Sequence, residues 1–558
     1  MTRPSGSDEL VYLPLGGAGE IGMNLYMYGY GPAGSRQWII VDIGVGFAGP
    51  ELPGIDLVCA DTAFAESERH NLLAIVLTHA HEDHYGALAL LWPRLQVPVY
   101  ATAFSAALLR SKLDEAGLLS HVTVNEVKPG ARFDLGPFDI EYITMTHSIP
   151  EPNALAIRTP LANILHTGDW RLDPRPVVGR HYDVERLRAF GREGVRAMIC
   201  DSTNIRSHGD SISESDVAES LTRIIGRAGG RVAVTTFASN AGRLLSIMRA
   251  AHAAGRHVVL AGRSMHRIVG AALDTGCFVF EGELLSEDDF GYLPPDKVLL
   301  LCTGSQGEPR AALARIAAGS HPRIALDAGD TVIFSSKTIP GNEKAVGRVE
   351  NDLAALGAIV IDNKTDPVHV TGHPRRNEVR QLYGWIRPEA AIPMHGETLH
   401  LTEHARFARQ IGIPESIVAY NGDMIRIAPG PLAKIDEAPG GKLCQDGTLL
   451  LPTVNPALRE RRSISFAGCL GVVVVLDRKN ALVDDPVLHG FGLPQEDADG
   501  QDFETLVYDA IDDVLDAVPR KRRNDTAALA EMIRRRVRGA IRNSWGKKPI
   551  VRVEVLRV

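Results

Sequence analysis

Residues 77–88 read LTHAHEDHYGAL, with His79, His81, Asp83 and His84 inside six positions. Buried imidazoles and carboxylates are costly unless they are paired or bound to a metal. In an extended turn, residues two apart point the same way, so His79 and His81 can grip one ion. Asp83 and His84, entering the small-residue helix YGALALL, can reach a second ion close by. Two ions need more donors, and later strand ends offer His147 in TMTHSIP, Asp169 in LHTGDW and His395 in AIPMHGE. A carboxylate such as Asp169 can bridge both ions, while Asp42, ending an earlier strand, is expected to orient a ligand histidine from behind. Imidazole and carboxylate donors without thiolate suit two Zn²⁺, with Mn²⁺ as the alternative. Alone, His147 or His395 would read as an ordinary surface or core histidine; the six-residue cluster at a strand-to-helix junction does not.

The elements that must carry these residues alternate. LVYLPL (10–15), QWIIVD (37–42), LLAIVLT (72–78), FDIEYITM (138–145) and ANILHTGD (162–169) have the apolar content of buried or half-buried strands. From 206 to 365 the chain becomes a regular βα series, with helices such as SESDVAESLTRII and AGRLLSIMRAAHAAG between strands such as RVAVTTF, HVVLAG and KVLLLCTG. Strands alternating with helices of this length mean a parallel α/β layer. Histidine and glycine return over 366–430, and the Pro/Gly-rich 431–460 is expected to be a linker. The last unit, 461–558, has the strand LGVVVVLD, an acidic helix, a basic helix and a closing strand. Its runs RKRR (520–523) and RRRVR (534–538) could touch RNA, or form a solvated face paired with the acidic helix.

At 558 residues several domains are expected, and 45% hydrophobic with 23% charged residues is ordinary for a globular protein. Six scattered cysteines with no CxxC pair argue against a thiolate zinc site or a disulfide framework and suit a reducing cytoplasm. Neither a signal core nor a run of 18 apolar residues is found, which argues against secretion and membrane spanning. The net charge of −8 neither advertises nor excludes nucleic acid, because only the field at a groove matters. GGAGEIGMN (16–24) imitates a dinucleotide fingerprint, with Gly17, Gly19, Gly22 and an acid, Asp42, at the right distance. The helix that would face a pyrophosphate is missing, since MNLYMYGYGPAGSRQWIIVD reads as a hairpin.

HxHxDH followed by single His, Asp and His at strand ends resembles the metallo-β-lactamase superfamily, which implies an αββα sandwich with a dinuclear site at one edge. By that resemblance His79, His81 and His147 hold one zinc, Asp83, His84 and His395 hold the other, and Asp169 bridges them. The span of 226 positions from Asp169 to His395 resembles an inserted β-CASP domain of the nucleic-acid-cleaving members. Asp201 in MICDSTN, His373 in HVTGHP and His395 in PMHGE match that group's motifs, and a histidine at the last one goes with RNA rather than DNA. GGAGEIGMN, FASNAGR, TGSQGEP, SSKTIPGNE and HVTGHP together resemble the ribonuclease J family over essentially the whole chain. That family more often has Gly at position 80 and Ile at 85 than the Ala80 and Tyr85 found here, neither of them a ligand position.

The resemblance implies an α/β organisation of a metallo-β-lactamase domain (1–205 and 366–430), a β-CASP domain (206–365), the linker (431–460) and a small α/β C-terminal domain (461–558). It implies a cytoplasmic bacterial enzyme with 5′-to-3′ exonuclease and endonuclease activity in RNA maturation and decay, acting as a homodimer or dimer of dimers. A hydroxide held between two metals is nucleophilic at neutral pH, and the ions stabilise charge on the phosphoryl oxygens. Asp83 can orient that hydroxide, and His373, tuned by Asp201, can protonate the departing 3′ oxygen. Ala238, Ser239, Asn240 and His369, Val370, Thr371, Gly372 and His373 are expected to contact RNA, with a preference for a 5′-monophosphate end. TGSQGEP and SSKTIPGNE offer amides and hydroxyls suited to phosphate oxygens. A small-molecule thioester hydrolase of glyoxalase II type would leave the long insertion unexplained. A non-catalytic RNA-binding scaffold would have lost metal ligands, and none is missing.

Overall fold

Tyr12, Tyr26, Tyr28, Ile39, Val41 and Val76 alternate with residues of the opposite face along four neighbouring strands and are buried in one apolar layer. Those strands belong to an eight-stranded sheet in the order Ala433–Glu437, Asp423–Ala428, Glu9–Gly16, Leu25–Gly31, Gln37–Val41, Leu72–Val76, Val99–Ala101, Val124–Glu126. The computed structural model describes residues 7–339 and 341–558; the first six residues and Pro340, within SSKTIPGNE, lie outside the described residues. The same apolar layer takes Ile140, Tyr142, Leu155, Ile157, Ile164, Ile199 and Ile392 from a second sheet. That sheet runs Arg132–Leu135, Phe138–Thr144, Asn153–Arg158, Asn163–His166, Ala197–Asp201, Ala390–Met394, Glu415–Ser416. The outer face of the second sheet is covered by helices Val184–Arg192, Arg376–Ile386 and Thr398–Gln410, which supply Leu187, Phe190, Leu382 and Phe407 to another core. This is a metallo-β-lactamase-type αββα sandwich.

Two side chains bind the sheets together through polar contacts. The Tyr28 hydroxyl lies 2.8 Å from His166 Nδ1, and Tyr142 donates to the carbonyl of Leu77, 2.9 Å away. The second of these fixes the chain two residues before His79. Around Gly-Pro-Ala-Gly-Ser, Tyr28 pairs with Ile39 in an antiparallel hairpin, so no helix follows the Gly17–Gly22 segment.

The inserted domain leaves after Ala197–Asp201 and returns at Ala390–Met394, and these two strands are parallel neighbours, with Asp201 opposite Met394. Between them lies a six-stranded, all-parallel sheet in the order Leu284–Leu285, His257–Ala261, Val298–Cys302, Val232–Thr235, Thr331–Phe334, Ile359–Ile361. Its strands read as near-continuous apolar runs because helices cover them, and Leu300, Val332, Leu313 and Leu353 meet in its core.

A second compact unit comprises Phe47–Val58 and Leu443–Val558. Its sheet is Val487–Phe491, Cys469–Leu476, Ile550–Arg557, and helices Phe503–Ala517 and Thr526–Trp545 pack on one face of it. The basic run of the second helix is engaged locally, with Arg534 and Arg535 on Glu531 and Arg536 on Asp513. The stretch 431–460, expected as a linker, is structured. It holds strands Ala433–Glu437, Lys442–Asp446 and Leu449–Pro452 and the start of helix Pro456–Ala467. Its glycines and prolines mark the turns and the helix start rather than a loose tether.

Behind the second sheet, His404 is fully buried with Nδ1 2.9 Å from Ser202 Oγ and Nε2 3.1 Å from the Tyr383 hydroxyl. Burial pushes its pKa down to about 4. The unfolded chain therefore takes up this proton first, near pH 6.5. The stability due to neutral His404 is complete above that pH and falls as the pH drops from about 6.5 to about 4, by up to about 3 kcal/mol. His404→Gln should flatten the fall of the unfolding midpoint across this window in urea titrations; an unchanged slope would refute the assignment.

Candidate metal centre

Four strands deliver most of the cluster by their C-terminal ends, one from the first sheet and three mutually parallel neighbours from the second. Leu72–Val76 leads into Thr78, whose amide and hydroxyl both bond Asp42 at 2.8 Å. His79 and His81 follow, then the short helix Glu82–Tyr85 carrying Asp83 and His84. Asp169 follows Asn163–His166, Asp201 ends Ala197–Asp201 and His395 follows Ala390–Met394. His147 comes from the loop after Phe138–Thr144. All seven expected ligands meet here, in two groups that share Asp169: His79, His81, His147 and Asp169; and Asp83, His84, Asp169 and His395.

In the first group, His81 Nδ1 is 3.1 Å from His79 Nε2 and 3.0 Å from His147 Nε2. His147 Nδ1 donates to the carbonyl of Gly372 at 2.5 Å, which leaves Nε2 as a bare lone pair. His79 Nδ1 is likewise engaged by Thr78 Oγ1 at 2.9 Å. One proton on His81 cannot satisfy two facing lone pairs, so this arrangement fits a cation. Burial, the largest influence on each, holds His79 and His147 well below the ordinary imidazole range and takes His81 to about 4. Neutral imidazoles are the form a metal binds.

In the second group, His84 Nε2 is 3.2 Å from Asp169 Oδ2, and His395 Nε2 is 3.1 Å from Asp83 Oδ2. Asp42 Oδ2 lies 2.7 Å from His84 Nδ1, behind the ring. Here burial is outweighed by carboxylates. Asp169, Asp83 and Asp42 raise His84, while Asp169, Asp201 and Asp83 bring His395 to about 10. Asp169 is buried, and its Oδ1 has no hydrogen-bond partner. An orphaned buried carboxylate oxygen amid converging imidazoles is the donor chemistry that divalent zinc or manganese takes.

His373 Nδ1 is 2.8 Å from Asp201 Oδ2, and its ring stacks on that of His395 at 5.4 Å. Asp201 and Asp169 overcome the opposing effect of burial and raise its pKa. The residues before it, His369, Val370 and Thr371, line a cavity of about 810 Å³ together with Asn204, Lys337 and Arg375. Val370 itself is buried. Gly372 is set by close approach, since a Cβ there would lie 2.6 Å from His147 Cε1. The 238–240 stretch is not in the wall of this cavity: Ala238 and Ser239 are half-buried, and buried Asn240 caps helix Ala241–Ala253 through the amide of Arg243. The cap occupies Asn240 Oδ1. Ser335 of SSKTIPGNE is also fully buried, with its hydroxyl on the carbonyl of Val368 rather than facing outward.

Three residues at the centre escape the sequence reading. Asn24 Nδ2 lies 2.9 Å from His84 Nε2 and 3.0 Å from the Asp83 carbonyl, and Tyr26 holds its Oδ1. Thr203 Oγ1 lies 2.7 Å from His395 Nδ1, and Asn204 Nδ2 donates to Thr371 Oγ1 at 2.8 Å. Asn24 closes the same GGAGEIGMN stretch that imitates a nucleotide motif, and Thr203 and Asn204 follow Asp201 directly. A polar residue at the tip of a buried strand is the one local signal they carry.

Sequence profiles of four families match the chain: a beta-lactamase superfamily domain over 37–188, the ribonuclease J beta-CASP domain over 229–353, a Zn-dependent metallo-hydrolase RNA specificity domain over 363–418 and the ribonuclease J C-terminal domain over 456–558. The chain is 51% identical over 551 residues to ribonuclease J of Sinorhizobium meliloti, covering 99% of this chain and 98% of that one. It is 37% identical to ribonuclease J of Mycolicibacterium smegmatis (98% and 96% covered) and 37% identical to that of Thermus thermophilus (86% and 84% covered). A solved protein of unknown function from Enterococcus faecalis shares the fold at a TM-score of 0.52 and 16% identity, covering 75% of this chain and all of the other.

Gly372→Ala should push the loop off His147 and lower the divalent-metal content per chain, measured on metal-saturated and dialysed protein. Gly384→Ala, where an added Cβ meets nothing within 4 Å, is the control. Equal metal content in the two variants would show that the close approach does not matter to the metal.

Proposed function

The chain belongs to the ribonuclease J family of metal-dependent ribonucleases, and from that premise we propose that it hydrolyses RNA as a 5′-to-3′ exonuclease with endonuclease activity, in cytoplasmic RNA maturation and decay. The observation that carries this reading is the convergence of six further donors on Asp169, one of whose oxygens has no hydrogen-bond partner, beside the point where the inserted domain joins the sandwich. His79, His81, His147 and Asp169 would hold one zinc ion, and Asp83, His84, His395 and Asp169 the other, with Mn²⁺ as the alternative. Bound divalent ions supply Lewis acidity, lowering the pKa of water and neutralising charge on phosphoryl oxygens.

The chain's own groups do the rest. Asp83 is the one carboxylate of the cluster that solvent reaches, at 29% exposed against 2% for Asp169, so it accepts a hydrogen bond from attacking water and orients it. Asp201 fixes the His373 ring through Nδ1, leaving Nε2 to give a proton to the departing 3′ oxygen. Asp42 and Thr203 hold His84 and His395 from behind. The cavity beside His369, Val370 and Thr371, with Lys337 and Arg375 in its wall, suits the backbone of a single RNA strand. A closed site for a terminal 5′-monophosphate would measure one nucleotide from the end to the metals, and a bulkier triphosphate would fit it poorly.

The C-terminal unit is read as a self-association module. The sheet face away from its helices carries Val473, Val475, Val487, Phe491 and Leu556, with Phe491 68% exposed. A patch of this kind on a three-stranded sheet fits an isologous partner.

One RNA labelled at either end tests the activity. His81→Ala and Asp83→Ala, both at half-buried positions, should abolish turnover while circular dichroism is unchanged, and chelator should do the same to the wild type. Faster release of mononucleotides from 5′-monophosphate than from 5′-triphosphate RNA is expected. Full activity of metal-free protein would refute the metal reading, and equal rates on the two ends would refute the 5′ ruler. Separately, Phe491→Asp should shift the protein toward monomer in sedimentation velocity; an unchanged mass distribution would remove this face as the interface.

A further inference from the structure

Four charged side chains outside the candidate ligand set are buried together: Arg171, Asp173, Glu214 and Arg243, each 6% exposed or less. Arg171 bonds Asp173 and lies 3.8 Å from Glu214 Oε2. Glu214, the first residue of helix Glu214–Arg227, takes Arg243 in a two-pronged pair, Oε1 to Nε at 2.5 Å and Oε2 to Nη2 at 3.0 Å. Asp173 closes the other end through the Glu214 amide at 2.9 Å and Ser213 Oγ at 2.6 Å. Charges buried this deeply add little net stability over apolar residues of the same volume, so a weld between domains does not by itself account for them.

Nη1 of each arginine reaches the 368–372 loop, besides the bonds of Arg243 to Ser335 and of Arg171 to the Ile212 carbonyl. Arg243 Nη1 donates to the Val368 carbonyl at 2.8 Å, where Ser335 Oγ also donates at 2.6 Å. Arg171 Nη1 donates to the Thr371 carbonyl at 3.2 Å. The next carbonyl, Gly372, is the one that takes the His147 Nδ1 proton. At the far end, the Arg243 amide is held by Asn240, the cap of its helix. A continuous path of bonds thus runs from His147 through 372–368 to Arg243 and Asn240, crossing from the sandwich to the inserted domain.

We infer that Arg243 and Arg171, bridged by Glu214, are positioning residues that set the 368–372 loop at a fixed distance from the metal ligand His147 and so fix where RNA lies. This rests on the proposed RNA-binding role of that loop. His373 has its own anchors, Asp201 on the ring and Asn204 on the carbonyl, so loosening the clamp displaces the RNA grip more than the proton donor. The signature is therefore a rise in KM with kcat largely kept, which a weld between domains would not produce.

The test uses Arg243→Lys, whose single ammonium keeps the charge but cannot span Glu214, Ser335 and Val368 together, and the milder Ser335→Ala. KM and kcat are measured on oligoribonucleotides with 5′-monophosphate and 5′-hydroxyl ends, with zinc content and thermal midpoint on the same samples. The expected result is a KM on the 5′-monophosphate RNA raised about tenfold in Arg243→Lys and about threefold in Ser335→Ala, at unchanged zinc content. The two ends should also become less distinct. Wild-type KM in both variants overturns the clamp, as does a KM rise that tracks loss of zinc or of melting temperature. Should Arg243→Lys fail to fold, Ser335→Ala decides alone. A wild-type enzyme indifferent to the 5′ end would sink the 5′ ruler, and the clamp would still stand or fall on KM.

Discussion

The Asp169 carboxylate is the constraint on which the rest of the site depends. It is buried and, among the described residues, common to every cluster of candidate ligands, and one of its oxygens has no hydrogen-bond partner. A lone carboxylate in that position would cost several kcal/mol or take up a proton. What keeps it ionised is positive charge, from His395, His84 and His373 in the protein alone, and from cations once they bind. The compensating groups come from strand ends far apart in sequence. The sandwich must therefore close completely before the charge is tolerable, which makes the metal site and the αββα core interdependent.

The insertion exploits the same geometry. Because Ala197–Asp201 and Ala390–Met394 are adjacent parallel strands, a whole α/β domain can leave and return without changing the register of the sheet. Its stem is then forced to pass beside the ligands. Thr203 touches His395, Asn204 touches Thr371 and the carbonyl of His373, and Gly372 touches His147. The stem of the insertion, the 368–373 segment and two candidate ligands are thus joined through backbone and side-chain hydrogen bonds.

How far the sequence discloses this follows from the range of each interaction. His79, His81, Asp83 and His84 are legible because one turn sets their geometry, and Asp169 and His395 because parallel strands collect their C-terminal ends on one edge. The βα series is legible from period and length, and the hairpin after Gly22 from alternation. Asn24, Thr203 and Arg243 are not legible, since each acts through a contact made by the tertiary fold. Asn240 in FASNAGR caps its own helix through Oδ1, a use of asparagine that the motif by itself does not disclose. The structured 431–460 stretch shows the reverse case, in which turn-forming residues between short strands imitate a linker.

Two non-glycine residues at the centre hold left-handed backbone, Asp42 at φ +61° and His395 at φ +50°. Such conformations cost on the order of 1–3 kcal/mol each and persist only where the surroundings over-determine them. Asp42 is fixed by the amide and hydroxyl of Thr78 and by His84, and its own amide bonds the Val76 carbonyl at 3.0 Å. The His395 amide donates to the Gly17 carbonyl at 2.7 Å. Gly17 can present that carbonyl because it sits at φ +77°, with no room for a side chain against Tyr26 and Asn24. The glycines of GGAGEIGMN thus have a physical use that needs no nucleotide. They let the first hairpin turn tightly under the site, where Gly17 supports one candidate ligand from the backbone and Asn24 touches another from the side.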